Sequence, residues 1–171
     1  MTGRDAEAAR VFQAAARLFK APADTSGTRA VQAAGKIRVF RFCDRNNPDD
    51  LIPNLWRNGT EADIRRVTGL ARFPEGMRQL AELHVQGVDG RLRLSPFVSV
   101  TSDPQVAGRT RDGLLREIIH TSPERAEFDV PRDLLYTPQG LLATDAAEML
   151  YLGNDLADHL VRWEPNPYRR R

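Results

Sequence analysis

The stretch Phe97-Val98-Ser99-Val100-Thr101-Ser102-Asp103-Pro104 carries the reading on which the rest depends. Its first residues are aromatic, β-branched and alternating, which predicts a strand within 94–102. Asp103-Pro104 then predicts a helix N-cap followed by proline at the first helical position, so the strand passes directly into a helix. Side chains alternate along a strand with period two, so Ser99 and Thr101 share the face of Phe97. Two hydroxyls on a face that would pack better with apolar groups either satisfy themselves on local backbone or bond a neighbouring chain.

Upstream, Ile37-Arg38-Val39-Phe40-Arg41-Phe42-Cys43 predicts a first strand, bounded by Gly35 and the turn-rich run Asp44 to Asp50. Here Arg41 shares a face with Ile37 and Val39. A guanidinium beside branched aliphatics either snorkels to water from the strand end or meets an anion, and a phosphate suits its planar fork. Downstream, Glu148 shares a face with Leu150 and Leu152 directly after the turn-rich segment 137–147. Such an acid sits either at a solvated strand entry or in a cleft that tunes its ionisation.

Between these strands, Thr60 predicts a helix N-cap with Asp63 at the capping-box position, ahead of Ile64 and Val67. A further helix is predicted from Glu75 to about Val85, through Met77, Leu80 and Leu83. Asp112 caps another through Leu114, Leu115, Ile118 and Ile119. Ala126 to Val130 reads as a strand closed by Pro131, and Glu148–Leu152 with His159–Trp163 reads as a final strand pair joined by a turn at Gly153, Asn154 and Asp155. At the front, residues 4–20 place Val11, Phe12, Ala15, Leu18 and Phe19 at helical spacing, and Pro22 ends that helix. Helices lead and strands follow, which predicts an α+β or mixed α/β architecture rather than a doubly wound parallel sheet.

A chain of 171 residues with 41% apolar content suits one core, and 28% charged residues of interspersed sign suit a globule. The net charge of +2 is concentrated in Arg169, Arg170 and Arg171, and no basic stripe with interleaved aromatics points to nucleic acid. Cys43 is the single cysteine, so neither an intrachain disulfide nor a Cys-rich zinc site can form. His84, His120 and His159 lack metal-ligand spacing and read as surface or internally satisfied groups. The sequence contains no Walker or Rossmann glycine loop, so it offers no support for ATP use or hydride transfer.

The order Arg41, then Ser99-x-Thr101, then Glu148, each on its own strand, resembles the R-S-E class of mono-ADP-ribosyltransferases. The likeness covers roughly Ile37 to Trp163. Val39-Phe40-Arg41-Phe42 resembles the first-strand arginine motif, and Phe97 to Pro104 resembles the Ser-Thr-Ser strand entering its helix. Glu148-Met149-Leu150-Tyr151-Leu152-Gly153 resembles the catalytic-glutamate strand, while Phe128-Asp129-Val130-Pro131 sits where that class places a strand ending in proline. The resemblance implies an ADP-ribosyltransferase-like fold, with a mixed β-sheet around an NAD cleft and N-terminal helices. It divides the chain into a helical segment 1–35 packed on the domain, a catalytic domain 36–164 and a basic tail 165–171.

On this likeness NAD is the substrate, Glu148 is catalytic, and Arg41, Ser99 and Thr101 bind the dinucleotide. Trp56 and Asn58 either line the nicotinamide pocket or, for the tryptophan, anchor the loop to the core. The implied reaction breaks the bond between nicotinamide and ribose and passes ADP-ribose to a macromolecular acceptor, protein or nucleic acid. Arginine-modifying members carry Glu or Gln two residues before the catalytic glutamate, where this chain has Ala146, so other acceptors including water stay open. Many relatives of this class are bacterial toxins or effectors, which implies a delivery or immunity partner. The sequence shows neither a signal peptide nor an apolar run of the ~18 residues a membrane span needs. The expectation is a cytoplasmic protein, or one delivered into a target-cell cytosol, with no membrane partner.

Overall fold

The computed structural model describes residue 10 and residues 35–86, 95–105, 113–137 and 148–170. The expected helix over 4–20 and loop over 21–34, the course of the chain after Gln105, the Asp112 cap and Ala146 lie outside them.

Strand β1 is Lys36–Cys43, followed by a 3-10 turn at Pro48–Leu51 and a short helix α1 at Asn54–Asn58. Helix α2, Glu61–Leu70, starts as expected: Thr60 accepts from the Asp63 amide and the Asp63 carboxylate accepts from the Thr60 amide, closing a capping box. Helix α3, Pro74–Gln86, opens with proline at its first position, where no donor is lost. A methyl group on Gly76 would lie 2.1 Å from the Leu70 carbonyl oxygen, so only glycine lets α3 cross the end of α2 this closely. Then come β2 at Phe97–Thr101, α4 at Gly113–Thr121, β3 at Glu124–Pro131, a two-residue β4 at Leu135–Tyr136, β5 at Glu148–Leu152 and β6 at Leu160–Pro165.

The strands form one six-stranded sheet in the order β4-β5-β2-β1-β3-β6, and every ladder in it is antiparallel. The architecture is α+β, and the expected mixed sheet is corrected to an antiparallel one. The helices between β1 and β2 return the chain to the sheet at the end where β1 left it, so β2 runs antiparallel beside β1. The expected hairpin of Glu148–Leu152 with His159–Trp163 is also corrected. Strand β5 lies between β4 and β2, whereas β6 pairs with β3 at the far edge, and a 3-10 turn at Leu156–His159 carries the chain across. Leu156 is fully buried in that crossing, which ties it to the core.

Ladder lengths divide the sheet. β1 and β3 share eight pairs and β2 and β5 share five, but β1 and β2 meet at the single pair Phe40↔Thr101. Two antiparallel triplets therefore join at a narrow seam. One face carries Val39, Val98, Val100, Phe128, Val130 and Tyr151, and Leu156 from the 3-10 turn joins their cluster. On the β2–β5 part of the other face, Phe97, Leu150 and Leu152 pack under Leu55, Val67, Met77, Leu80 and Ala81 from α1, α2 and α3. Each large side chain so buried contributes about 1.5–3 kcal/mol, enough to fix the helical layer over β2 and β5.

After Pro165 the chain docks on α4. The Asn166 amide group donates to the carbonyl oxygens of Ile119 (2.6 Å) and Ser122 (2.8 Å), occupying acceptors that the helix end leaves open. The Tyr168 hydroxyl donates to the Pro104 carbonyl at 3.2 Å, and the Tyr168 carbonyl accepts from His120 Nδ1 at 2.8 Å. None of the described helices is long and apolar enough to cross a membrane.

Candidate active site

Glu148 and Ser99 are brought together by register. Thr101 pairs with Glu148 and Ser99 with Leu150, so Ser99 and Glu148 are diagonal neighbours on one face. The Ser99 hydroxyl donates to Glu148 Oε1 at 2.7 Å.

Arg41 approaches differently. The pair Phe40↔Thr101 puts Phe40 on the Ser99 face, so Arg41 starts from the opposite face, among Val39 and Cys43. Its guanidinium reaches the seam, where Nη1 donates to the Ser99 carbonyl at 2.7 Å and Nε to the Asp50 carbonyl at 2.8 Å. Both partners are neutral carbonyls. The Asp50 carboxylate is turned to the Asp44 amide (3.1 Å) and the Asn47 side chain (2.9 Å), which close the turn. Burial lowers the Arg41 pKa from the ordinary arginine value, against the opposing pull of Cys43, Asp50 and Glu148. An arginine remains cationic through such a shift, so the site holds a desolvated positive charge bonded to carbonyl oxygens, next to the Glu148 carboxylate. The same desolvation pushes the adjacent Cys43 thiol up to about 12, so it is an inert filler rather than a nucleophile.

A histidine missing from the sequence-based candidates completes the arrangement. His84 Nε2 lies 2.7 Å from Ser99 Oγ and Nδ1 lies 2.5 Å from Ser95 Oγ. Proton accounting fixes the direction of each bond. A carboxylate only accepts, so the Ser99 hydroxyl donates to Glu148 and must accept from His84 Nε2–H. Nδ1 is then an acceptor for the Ser95 hydroxyl, whose oxygen in turn accepts from the Phe97 amide at 3.2 Å. The result is one directional chain, Phe97 amide to Ser95 to His84 to Ser99 to Glu148. It requires a neutral imidazole, and burial together with the Arg41 charge pulls the His84 pKa down to about 4. The edge of the Phe97 ring pattern also braces it, with ring centroids 5.8 Å apart in a T-shaped arrangement.

The signal for His84 was in the helix. Met77, Leu80 and Ala81 form the buried stripe of α3, and His84 follows at the next position of the same stripe. A polar residue in an apolar stripe needs a partner inside.

The remaining expected residues fall as follows. Thr101 is buried, and its hydroxyl accepts from the Asp103 amide at 3.1 Å, so it shapes the exit of β2. Asp103 accepts from the Gln105 amide at 2.8 Å, a turn that opens the following segment. Trp56 packs on the helical-side cluster, while Asn58 is exposed at the end of α1. His159 lies edge-on to the Tyr151 ring with centroids 6.0 Å apart, and His120 binds the C-terminal segment, both outside the Glu148 chain.

Comparison with family models, curated proteins and solved structures returns no match.

Proposed function

We propose that this chain has an ADP-ribosyltransferase-type fold and cleaves NAD between nicotinamide and ribose, passing ADP-ribose to an acceptor. One observation carries the reading: Arg41, Ser99 and Glu148, distant in sequence, meet through Ser99, whose carbonyl takes Arg41 and whose hydroxyl takes Glu148. Glu148 accepts a hydrogen bond from the nicotinamide ribose and stabilises the oxocarbenium-like charge that grows as the C–N bond breaks. The bonding pair leaves with the nicotinamide nitrogen, which loses its positive charge. The acceptor then bonds the ribose carbon and gives up its proton. Arg41 supplies the cation for the diphosphate, and its neutral carbonyl partners leave its charge available. Ser99, itself oriented by His84, holds the carboxylate in place.

Water as the acceptor, giving an NAD glycohydrolase, is the second reading: Ala146, where arginine-modifying members carry an acid or amide, tells against arginine and leaves water among the acceptors. The test is release of nicotinamide from NAD by purified protein, with and without cell lysate. Release that needs lysate and labels a macromolecule supports the transferase, and release without lysate supports the hydrolase. No release from folded protein under either condition rejects both and leaves a non-catalytic interaction domain.

A further inference from the structure

We propose that Arg57 is a second anion ligand of this site and grips the dinucleotide diphosphate together with Arg41, an inference that rests on NAD being the substrate. The 3-10 turn at Pro48–Leu51 holds both guanidinium groups through adjacent residues. Asp50 accepts Arg41 Nε on its carbonyl at 2.8 Å, and Asp49 Oδ2 lies 3.4 Å from Arg57 Nη1. Arg57 is steadied on its own helix by the Asn54 side-chain oxygen. Helix α1, which carries it, is pinned at the other end to the candidate site, because the Leu55 amide donates to the Ser95 carbonyl at 3.0 Å and Ser95 binds His84. The two cations are close enough for Arg57 to depress the Arg41 pKa beyond the effect of burial.

Two positive groups held together repel one another, and an anion that bridges them turns the repulsion into attraction. The partners already present leave that role open. Arg41 is bonded to neutral carbonyls, and Arg57 faces a carboxylate that is itself 57% exposed and therefore screened by water. Arg57 keeps 31% of its side chain exposed and Arg41 is half-buried at the seam, so a ligand that reaches Arg57 can extend to Arg41. A diphosphate offers one anionic group to each, and paired charge-assisted hydrogen bonds suit both forks.

The test is calorimetric binding of ADP-ribose and of adenosine, which lacks the diphosphate, to the full chain and to Arg57→Gln and Arg57→Lys. The wild type is expected to favour ADP-ribose, Arg57→Gln to narrow that preference by about tenfold or more, and Arg57→Lys to recover part of it. Thermal melting within a few degrees of wild type establishes that the variants are folded. An unchanged preference in Arg57→Gln, with wild type cleaving NAD, overturns the role of Arg57 alone. Absence of both ADP-ribose binding and nicotinamide release in the wild type overturns the NAD reading and this inference with it.

Discussion

Ser99 and Glu148, 49 residues apart in the chain, are joined by a 2.7 Å hydrogen bond between hydroxyl and carboxylate on adjacent strands. The strand ladder sets this distance before any ligand arrives, so the carboxylate is held in one orientation.

Glu148→Gln keeps the shape and can still accept from Ser99, but under the proposed reaction it removes the charge that stabilises the developing cation. Nicotinamide release is expected to fall about 100- to 1000-fold while the melting temperature stays within a few degrees. Equal turnover in the two proteins would remove Glu148 from the chemistry.

Ser99→Ala cuts the chain at its centre, leaving His84 Nε2–H and Glu148 without their shared partner. Stability is expected to drop by about 1–3 kcal/mol in denaturant unfolding. Turnover should fall about 10- to 100-fold, because a carboxylate that wanders is a poorer electrostatic partner. A stability loss with full turnover would make Ser99 a purely structural residue.

The pH response follows from His84, whose pKa drops from 6.5 to about 4 on folding, chiefly through burial and then through Arg41. Between those values the unfolded chain binds a proton that the folded chain does not. This contribution is therefore complete above about pH 6.5 and is lost as pH falls toward 4, with a ceiling of about 3 kcal/mol. Urea unfolding at about pH 7 and pH 4.5 should show a smaller loss in His84→Gln than in wild type. Parallel losses would mean that other groups carry the acid sensitivity.

Asn166→Ala removes two side-chain bonds to the end of α4 and the acceptor for the Tyr168 amide at 3.0 Å. The expected loss is about 2–3 kcal/mol, accompanied by faster amide exchange in residues 166–170. Unaltered exchange would show that Tyr168 and His120 anchor the segment without it.

Local chemistry made the elements readable, because caps, prolines and alternation act over a few residues. Thr60 with Asp63 began α2, and the alternation around Ser99 marked β2. Pairing was not readable in the same way: β5 and β6 are neighbours in sequence, yet Leu152 faces Phe97 while Trp163 faces Ala126. Which edge a strand joins depends on where Leu156 buries, a decision of the whole core. The candidate site divided along the same line. Arg41, Ser99 and Glu148 stood out as polar groups on apolar strand faces, whereas His84 was masked by a helix whose stripe was read through Leu83 rather than Ala81.

The single pair between β1 and β2 bears on how the protein is made. From Cys43 to Pro165 a ribosome adds about 120 residues, on the order of ten seconds of synthesis. For about 50 of those residues, from Thr101 to Glu148, β2 has a one-pair hold on β1 and lacks β5, its principal neighbour, so its edge stands open to other chains. The same order delays the carboxylate, since Glu148 enters the sheet with the strand that closes this edge. A nascent chain on the ribosome therefore has an open β2 edge and lacks the Ser99–Glu148 bond until β5 emerges, and both conditions end together.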